Sequence, residues 1–233
     1  MKMLAFDTCF GACSAAVTWP SGEASRFELM DRGHAERLIP MIGEVMGEAP
    51  FAIDELDLIA VTIGPGTFTG LRIGIAAARA LALASGAATS GISSLELMAR
   101  SAKVALDAQD AGCDISGADI AVAVDARRDE LYFEVFNGRF GSLAGPHLVS
   151  VRDAAAHLRD RATIMVGSGA SLVVAAAQEL GRDKVTAVLP RLEPDARHFA
   201  APIKACETNQ LRPIYLRPPD AKPQVGKSLS RIL

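Results

Sequence analysis

The sequence predicts an α/β protein built from two similar lobes, and three observations carry that prediction. Strand-length apolar runs alternate along the chain with segments of helical period. An apolar strand that ends in aspartate and turns into a second strand occurs twice, in "MLAFDTCFGACSAAVTW" and in "ADIAVAVDARRDELYFEVFNG", which places Asp125 beside Asp7 as in a duplication. The near-continuous apolar run "LDLIAVTIG" reads as a strand covered on both faces, as in a parallel sheet, and leads directly into a helix.

Taken in order, residues 3 to 19 read as a hairpin with Gly11 near its bend. From Asp31 to Ala49, apolar residues at 38, 39, 41, 42, 45 and 46 repeat with helical period, and Pro40 implies a kink or a start a few residues before it. After the strand at 56 to 64, Gly64, Pro65 and Gly66 make a sharp corner, and Thr67 or Thr69 caps the helix "FTGLRIGIAAARALALAS". The polar stretch 107 to 119 divides a first lobe, 1 to 106, from a second, 107 to 217, whose C-terminal helix is expected to return toward the first. In the second lobe, "ATIMVGSGASLVVAAAQELG" reads as strand, glycine turn and helix. The proline-rich residues 218 to 233 are expected to form a mobile tail.

Composition bounds the function. With 233 residues, half of them hydrophobic, and a formal net charge of -3, the chain has ample core and no global basic field for nucleic acid. Cys9, Cys13, Cys113 and Cys206 match neither a redox pair nor a zinc ribbon, as expected of free thiols in a reducing compartment. The apolar run from Ile73 to Ala84 is interrupted by Gly74 and Arg79 and falls short of the roughly 20 residues a membrane span needs. A cytoplasmic protein without a membrane partner is therefore expected.

The helix after Pro65 raises a question of cover. Gly70, Gly74, Ala78 and Ala82 recur every four residues as a ridge almost without side chains, while Leu71, Ile73, Ile75, Leu81 and Leu83 point in other directions. Leaving four such apolar side chains wet forfeits roughly 1.5 to 3 kcal/mol each, so an interface is expected, the alternative being burial between the chain's own lobes. The expected partner face comprises Leu38, Met41 and Val45 of the earlier helix with Gly70, Leu71, Gly74, Ile75 and Ala78.

The set "MLAFDTCFGACSAAV", "GHAERLIPMI", "LIAVTIGPGTFTGLRIGIAAARALA", "VDARRDELYFEVF" and "PIYLR" resembles the bacterial TsaB family, also called YeaZ, over most of the chain. That resemblance implies an actin-like ATPase (ASKHA) fold of two ribonuclease-H-like lobes. It also implies a role in making threonylcarbamoyladenosine at position 37 of tRNAs that read codons beginning with A. In that family the TsaB member is understood as a non-catalytic partner of its paralogue TsaD, with TsaE, an ATPase, completing the assembly. A homodimer is expected when the chain is alone, and tRNA is expected to be met through the complex.

The residues test that implication. The paralogous enzyme carries an Asn-His-Leu-Glu-Gly-His stretch for a metal, whereas this chain reads "SSLELM", with Ser94 and Met98 where histidines would stand and Glu96 alone surviving. His34, His147, His157 and His198 show no pair at metal spacing, so no metal site is expected. Asp7, Thr8 and Ser14 fit a degenerate first nucleotide hairpin. The second, with Arg127, Arg128, Asp129 and Glu130 and no glycine at its turn, crowds the space where backbone must approach phosphate. "VGSGAS" reads as a structural turn, and no Ser-His or Cys-His set appears. No cofactor of its own is expected, with ATP or ADP held jointly with a partner chain left open. The alternatives are an autonomous ATPase or kinase-like enzyme of the same fold, and direct tRNA binding by a tail carrying Arg217, Lys222, Lys227 and Arg231.

Overall fold

The computed structural model describes residues 1–108, 117–199 and 211–217. The first lobe opens with β1 (Met3–Asp7), β2 (Ala12–Trp19) and β3 (Gly22–Leu29), an antiparallel meander. There follow α1 (His34–Glu48), β4 (Leu58–Thr62), α2 (Phe68–Ser85), β5 (Ala88–Ile92) and α3 (Ser94–Ala108). Strands β4 and β5 run parallel to β1, so the sheet order is β3-β2-β1-β4-β5.

The second lobe repeats the plan with β6 (Asp119–Asp125), β7 (Glu130–Phe136), β8 (Ser142–Ser150), α4 (Val151–His157), β9 (Thr163–Val166), α5 (Ala170–Glu179) and β10 (Val185–Ala187). Its order, β10-β9-β6-β7-β8, is the same pattern read from the other edge. The expected duplication therefore extends to the whole topology: two ribonuclease-H-like lobes, the actin-like fold.

Helix α3 joins the lobes. Its Leu97 packs with Met3, Ala5, Leu58 and Ala60 on the first sheet, while Leu95, Met98 and Ala102 pack with Ile120, Val122 and Phe136 on the second. Both cores therefore share one helix, buried on two sides. The division expected at 106 and 107 falls in its last turn; residues 109–116 and the tail 218–233 lie outside the described residues. Residues 211–217 lie against the first lobe as extended chain, consistent with Pro213, which lacks an amide hydrogen and restrains its predecessor, while residues 200–210, on which the expected C-terminal helix would fall, lie outside the described residues. Ile214 donates its amide to the Ile63 carbonyl at 2.7 Å. Arg217 then reaches the second lobe, donating to the Ala126 carbonyl at 2.8 Å. This strap is a second tie between the lobes.

Helix α2 is held at both ends by local chemistry: the Thr67 hydroxyl accepts from the Gly70 amide at 3.2 Å, and Gly86 closes the helix in the left-handed conformation. Between them the helix lies on β4 and on the corner after β1. A methyl group on Gly70 would stand 2.0 Å from the Thr8 carbonyl oxygen, and one on Gly74 would stand 2.9 Å from the Thr8 hydroxyl. In α1, by contrast, Gly43 and Gly47 have nothing within 4 Å of such a position.

One substitution made at two glycines should consequently have opposite signs. In urea unfolding, Gly70→Ala is expected to lose about 3 kcal/mol through the clash with Thr8, and Gly43→Ala to gain about 0.5–1 kcal/mol through helix propensity. A stable Gly70→Ala protein would show that the corner and the helix are not in contact.

Candidate functional site

The corner after β1 gathers the residues expected of a nucleotide hairpin. Asp7 is fully buried, and its carboxylate accepts from the Thr62 hydroxyl and from the Cys9 amide at 3.2 Å. Burial outweighs these bonds and pushes its pKa up to about 7. The Thr8 hydroxyl donates to the Gly70 carbonyl at 2.8 Å. Ser14, paired with Asp7 across the hairpin, donates to the Pro194 carbonyl at 3.2 Å and accepts from the Ala196 amide at 3.0 Å.

Structure thus brings Asp7, Thr8 and Ser14 together and corrects the role expected of them. All three are buried and hydrogen-bonded within the chain. The reason is the segment before the short 3-10 turn at Ala196–His198, which lies over the hairpin. Glu193 accepts the Gly11 amide at 3.1 Å, the kind of hairpin amide through which phosphate is bound in related folds. Residues 193–196 were not singled out in the sequence, since nothing in their own composition places them near position 11.

The second hairpin, between β6 and β7, turns through three residues with long or charged side chains. Arg127, Arg128 and Asp129 have φ of 63°, 61° and 59°, a left-handed run that costs about 1–2 kcal/mol per residue for side chains with a Cβ. Asp125 holds one end by accepting the Arg127 amide at 2.7 Å. Arg217 braces the other, bonding the Ala126 carbonyl and the Glu130 carboxylate. Arg217 is consequently a brace between lobes and no part of a free basic tail; Lys222, Lys227 and Arg231 lie outside the described residues. Across the cleft Phe10, at the tip of the first hairpin, meets Tyr132 with ring centres 6.1 Å apart. What is left between the lobes is an open cavity of about 540 Å³, walled by Phe10, Phe68, Tyr132 and Tyr215 with Asp125 and Arg127 at its polar side. Arg72 of α2 stacks 3.6 Å from the Phe68 ring centre and donates to the Tyr215 hydroxyl at 3.0 Å, locking the outer rings in place.

Ser94 and Met98, where the sequence led us to look for metal-ligating histidines, are both buried. Ser94 donates to the Pro65 carbonyl, Met98 sits in the core between α3 and the second sheet, and Glu96 pairs with Arg100 at 2.7 Å. Among the described residues no three His, Cys, Asp or Glu side chains converge as a metal site.

The partner face needs the largest correction. Leu38, Met41, Val45, Gly70, Leu71, Gly74, Ile75 and Ala78 are all buried, and Leu38, Met41, Val45, Ile75 and Ala78 belong to the core of the first lobe. The small-residue ridge that invited a foreign helix is filled by the chain's own Thr8 and Val61. The outward sides of the adjacent helices carry other residues: Ile39, 54% exposed, with Gly43 and Gly47 on α1, and Ala76, Ala80 and Leu83, the last 87% exposed, on α2, with Ile73 half-buried at the edge of that face. Arg72 and Arg79 flank the α2 side but turn to the strap, toward Tyr215 and the Leu211 carbonyl. The α2 face is therefore apolar and uncharged. A reading centred on the helix's exposed arginines, one step around from the glycine ridge, would have found it.

The family model described as "TsaD: tRNA N6-adenosine threonylcarbamoyltransferase" matches residues 28–162. The chain is 33% identical over 133 residues to the tRNA threonylcarbamoyladenosine biosynthesis protein TsaB of Haemophilus influenzae, covering 57% of this chain and 52% of that protein. To the Escherichia coli protein of the same name it is 35% identical over 134 residues, covering 57% and 54%. The chain thus spans about half the length of these curated relatives. It is 33% identical over 230 residues to the uncharacterized protein Rv3421c of Mycobacterium tuberculosis, covering 95% and 94%. Among solved structures, YeaZ from Pseudomonas aeruginosa superposes with a TM-score of 0.76 at 28% identity, covering 92% of this chain and 99% of that one.

The buried aspartate has a measurable signature. Its folded pKa, about 7, lies above the ordinary 3.8, so between those values the folded state binds the extra proton and stability falls as pH rises, levelling off above 7. The stability of wild type minus that of Asp7→Asn, followed by urea unfolding from pH 4 to 8, should fall as pH rises with a slope approaching about 1.4 kcal/mol per pH unit up to pH 7. A difference independent of pH would place Asp7 in contact with water.

Proposed function

The chain belongs to the TsaB (YeaZ) family, and from that premise we propose that it serves the biosynthesis of threonylcarbamoyladenosine in tRNA as a non-catalytic subunit that docks a TsaD-like paralogue through the outward sides of α1 and α2. The observation that carries this reading is the apolar surface of Ile39, Ala76, Ala80 and Leu83 beside Gly43 and Gly47 of α1, which no described residue approaches. Glycine inside a helix costs about 1 kcal/mol relative to alanine, and a close-packed partner offsets that cost. Helices meeting at glycine and alanine pack at short axial distance, so a helix pair on the partner would build a bundle. Without the paralogue, a second copy of the chain covers the same face about a two-fold axis.

A supporting role also suits the interior. The side chains that would organise nucleotide and metal are hydrogen-bonded within the chain, and Ser94 and Met98 offer no ligand set. Threonylcarbamoyl transfer, in this reading, belongs to the paralogue, a TsaE-like ATPase completes the assembly, and tRNA is met through the complex. Nucleotide is held jointly with a partner chain at the interlobe cavity, where Arg127 supplies positive charge and Phe10, Phe68 and Tyr215 supply flat apolar walls. All of this takes place in the cytoplasm.

The test is reconstitution with the paralogue, the ATPase, a threonylcarbamoyl donor and tRNA, with the modified nucleoside quantified by mass spectrometry. Ala80→Arg should weaken the heterodimer at least ten-fold by size exclusion and calorimetry while shifting the monomer's melting temperature little, and modification should fall in parallel. Undiminished affinity in Ala80→Arg and Leu83→Asp would move the docking face elsewhere. Turnover of ATP by the isolated chain would overturn the non-catalytic reading.

A further inference from the structure

The docking face and the cavity leave unused a pair of histidines in the second lobe. His147 lies in β8 directly opposite Phe133 of β7, and His157 is the last residue of α4. Because β8 runs into α4 without a loop, the chain folds back on itself, and two residues ten positions apart bring their rings to 5.1 Å between centres, 40° apart in plane. Both are near Phe133, whose ring centre is 6.2 Å from that of His157. No local spacing rule contains this pair, which is why the sequence left all four histidines unconnected.

The chemistry of His157 is set by a neighbour. Its Nδ1 lies 2.7 Å from the Asp153 carbonyl oxygen. A carbonyl only accepts, so Nδ1 carries the hydrogen and Nε2 of the neutral ring carries the lone pair, the tautomer that metal-bound histidines show when a backbone carbonyl orients them. Two imidazoles on one tetrahedral ion, with metal–nitrogen distances of about 2.0–2.1 Å, have ring centres about 5 Å apart, which matches the observed separation.

We propose that His147 and His157 together bind a divalent late first-row transition ion, of the zinc, nickel or copper type, through one ring nitrogen each, with water in the remaining positions. Imidazole nitrogen is a borderline donor that suits these ions, and the absence of a third acidic or thiol donor among the described residues speaks against the oxygen-rich sites that magnesium and calcium require. The ion would link the end of α4 to β8, the edge strand of the second sheet, and stabilise that lobe.

The full chain, metal-free, is titrated at neutral pH with zinc chloride in a calorimeter and with nickel chloride in proton NMR. One saturable equivalent, a rise in melting temperature reversed by EDTA, and selective broadening of the His147 and His157 ring signals over those of His34 and His198 are expected. His147→Gln and His157→Gln should each lower affinity at least ten-fold, with metal-free melting unchanged. Equal affinity in both variants would assign binding to other donors, and broadening spread evenly over the four histidines, or no saturable binding, would overturn the pair as a site. The NMR measurement uses the unaltered protein, so it decides the matter even if a variant folds poorly.

Discussion

The approach of α2 to the corner after β1 is the contact on which the rest of this structure depends. Thr8 donates to the carbonyl of Gly70, and its own carbonyl occupies the space a side chain at Gly70 would need. Only a residue without Cβ permits that distance, so the glycine stripe is spent on the chain's own backbone. Once the stripe is turned inward, helical geometry turns Ala76, Ala80 and Leu83 outward, and the character of the exposed face follows from a constraint buried beneath it.

The same corner explains how a fold associated with nucleotide chemistry holds together here with its polar hairpin closed. Buried hydroxyl and carboxyl groups need partners, and in this chain Thr62, Gly70, Pro194, Ala196 and the Cys9 amide supply them. Glu193 covers the hairpin amide from one side and the Phe10–Tyr132 contact narrows the cleft from another. The strap at 211–217 then ties α2, through Arg72 and Arg79, to the strained β6–β7 turn, through Arg217. A partner seated on α2 would thus touch a helix mechanically linked to the cavity wall in the other lobe.

Much of the fold was legible in the sequence because the signals were local. The strand-aspartate-hairpin unit, its repeat and a threonine cap at 67 or 69 each depend on a few neighbouring residues, and the structure has both hairpins and the cap at Thr67. Less was legible where an element's surroundings mattered. Helix α3 carries apolar residues on two sides because it serves two sheets, and the His147–His157 pair exists only because β8 turns directly into α4.

By itself the sequence determined that α2 would be a strongly apolar helix, that Thr67 or Thr69 would cap it, and that glycine and alanine would line one of its edges. Only the tertiary structure decided which edge faces inward. Periodicity states that a face exists but not what opposes it: the partner of the glycine ridge is Thr8, some sixty residues away, and the partners of Asp7 and Ser14 include residues near 194. A close contact between backbone and backbone leaves no hydrophobic or charged signature in either segment, so it comes into view only when the chain has been folded.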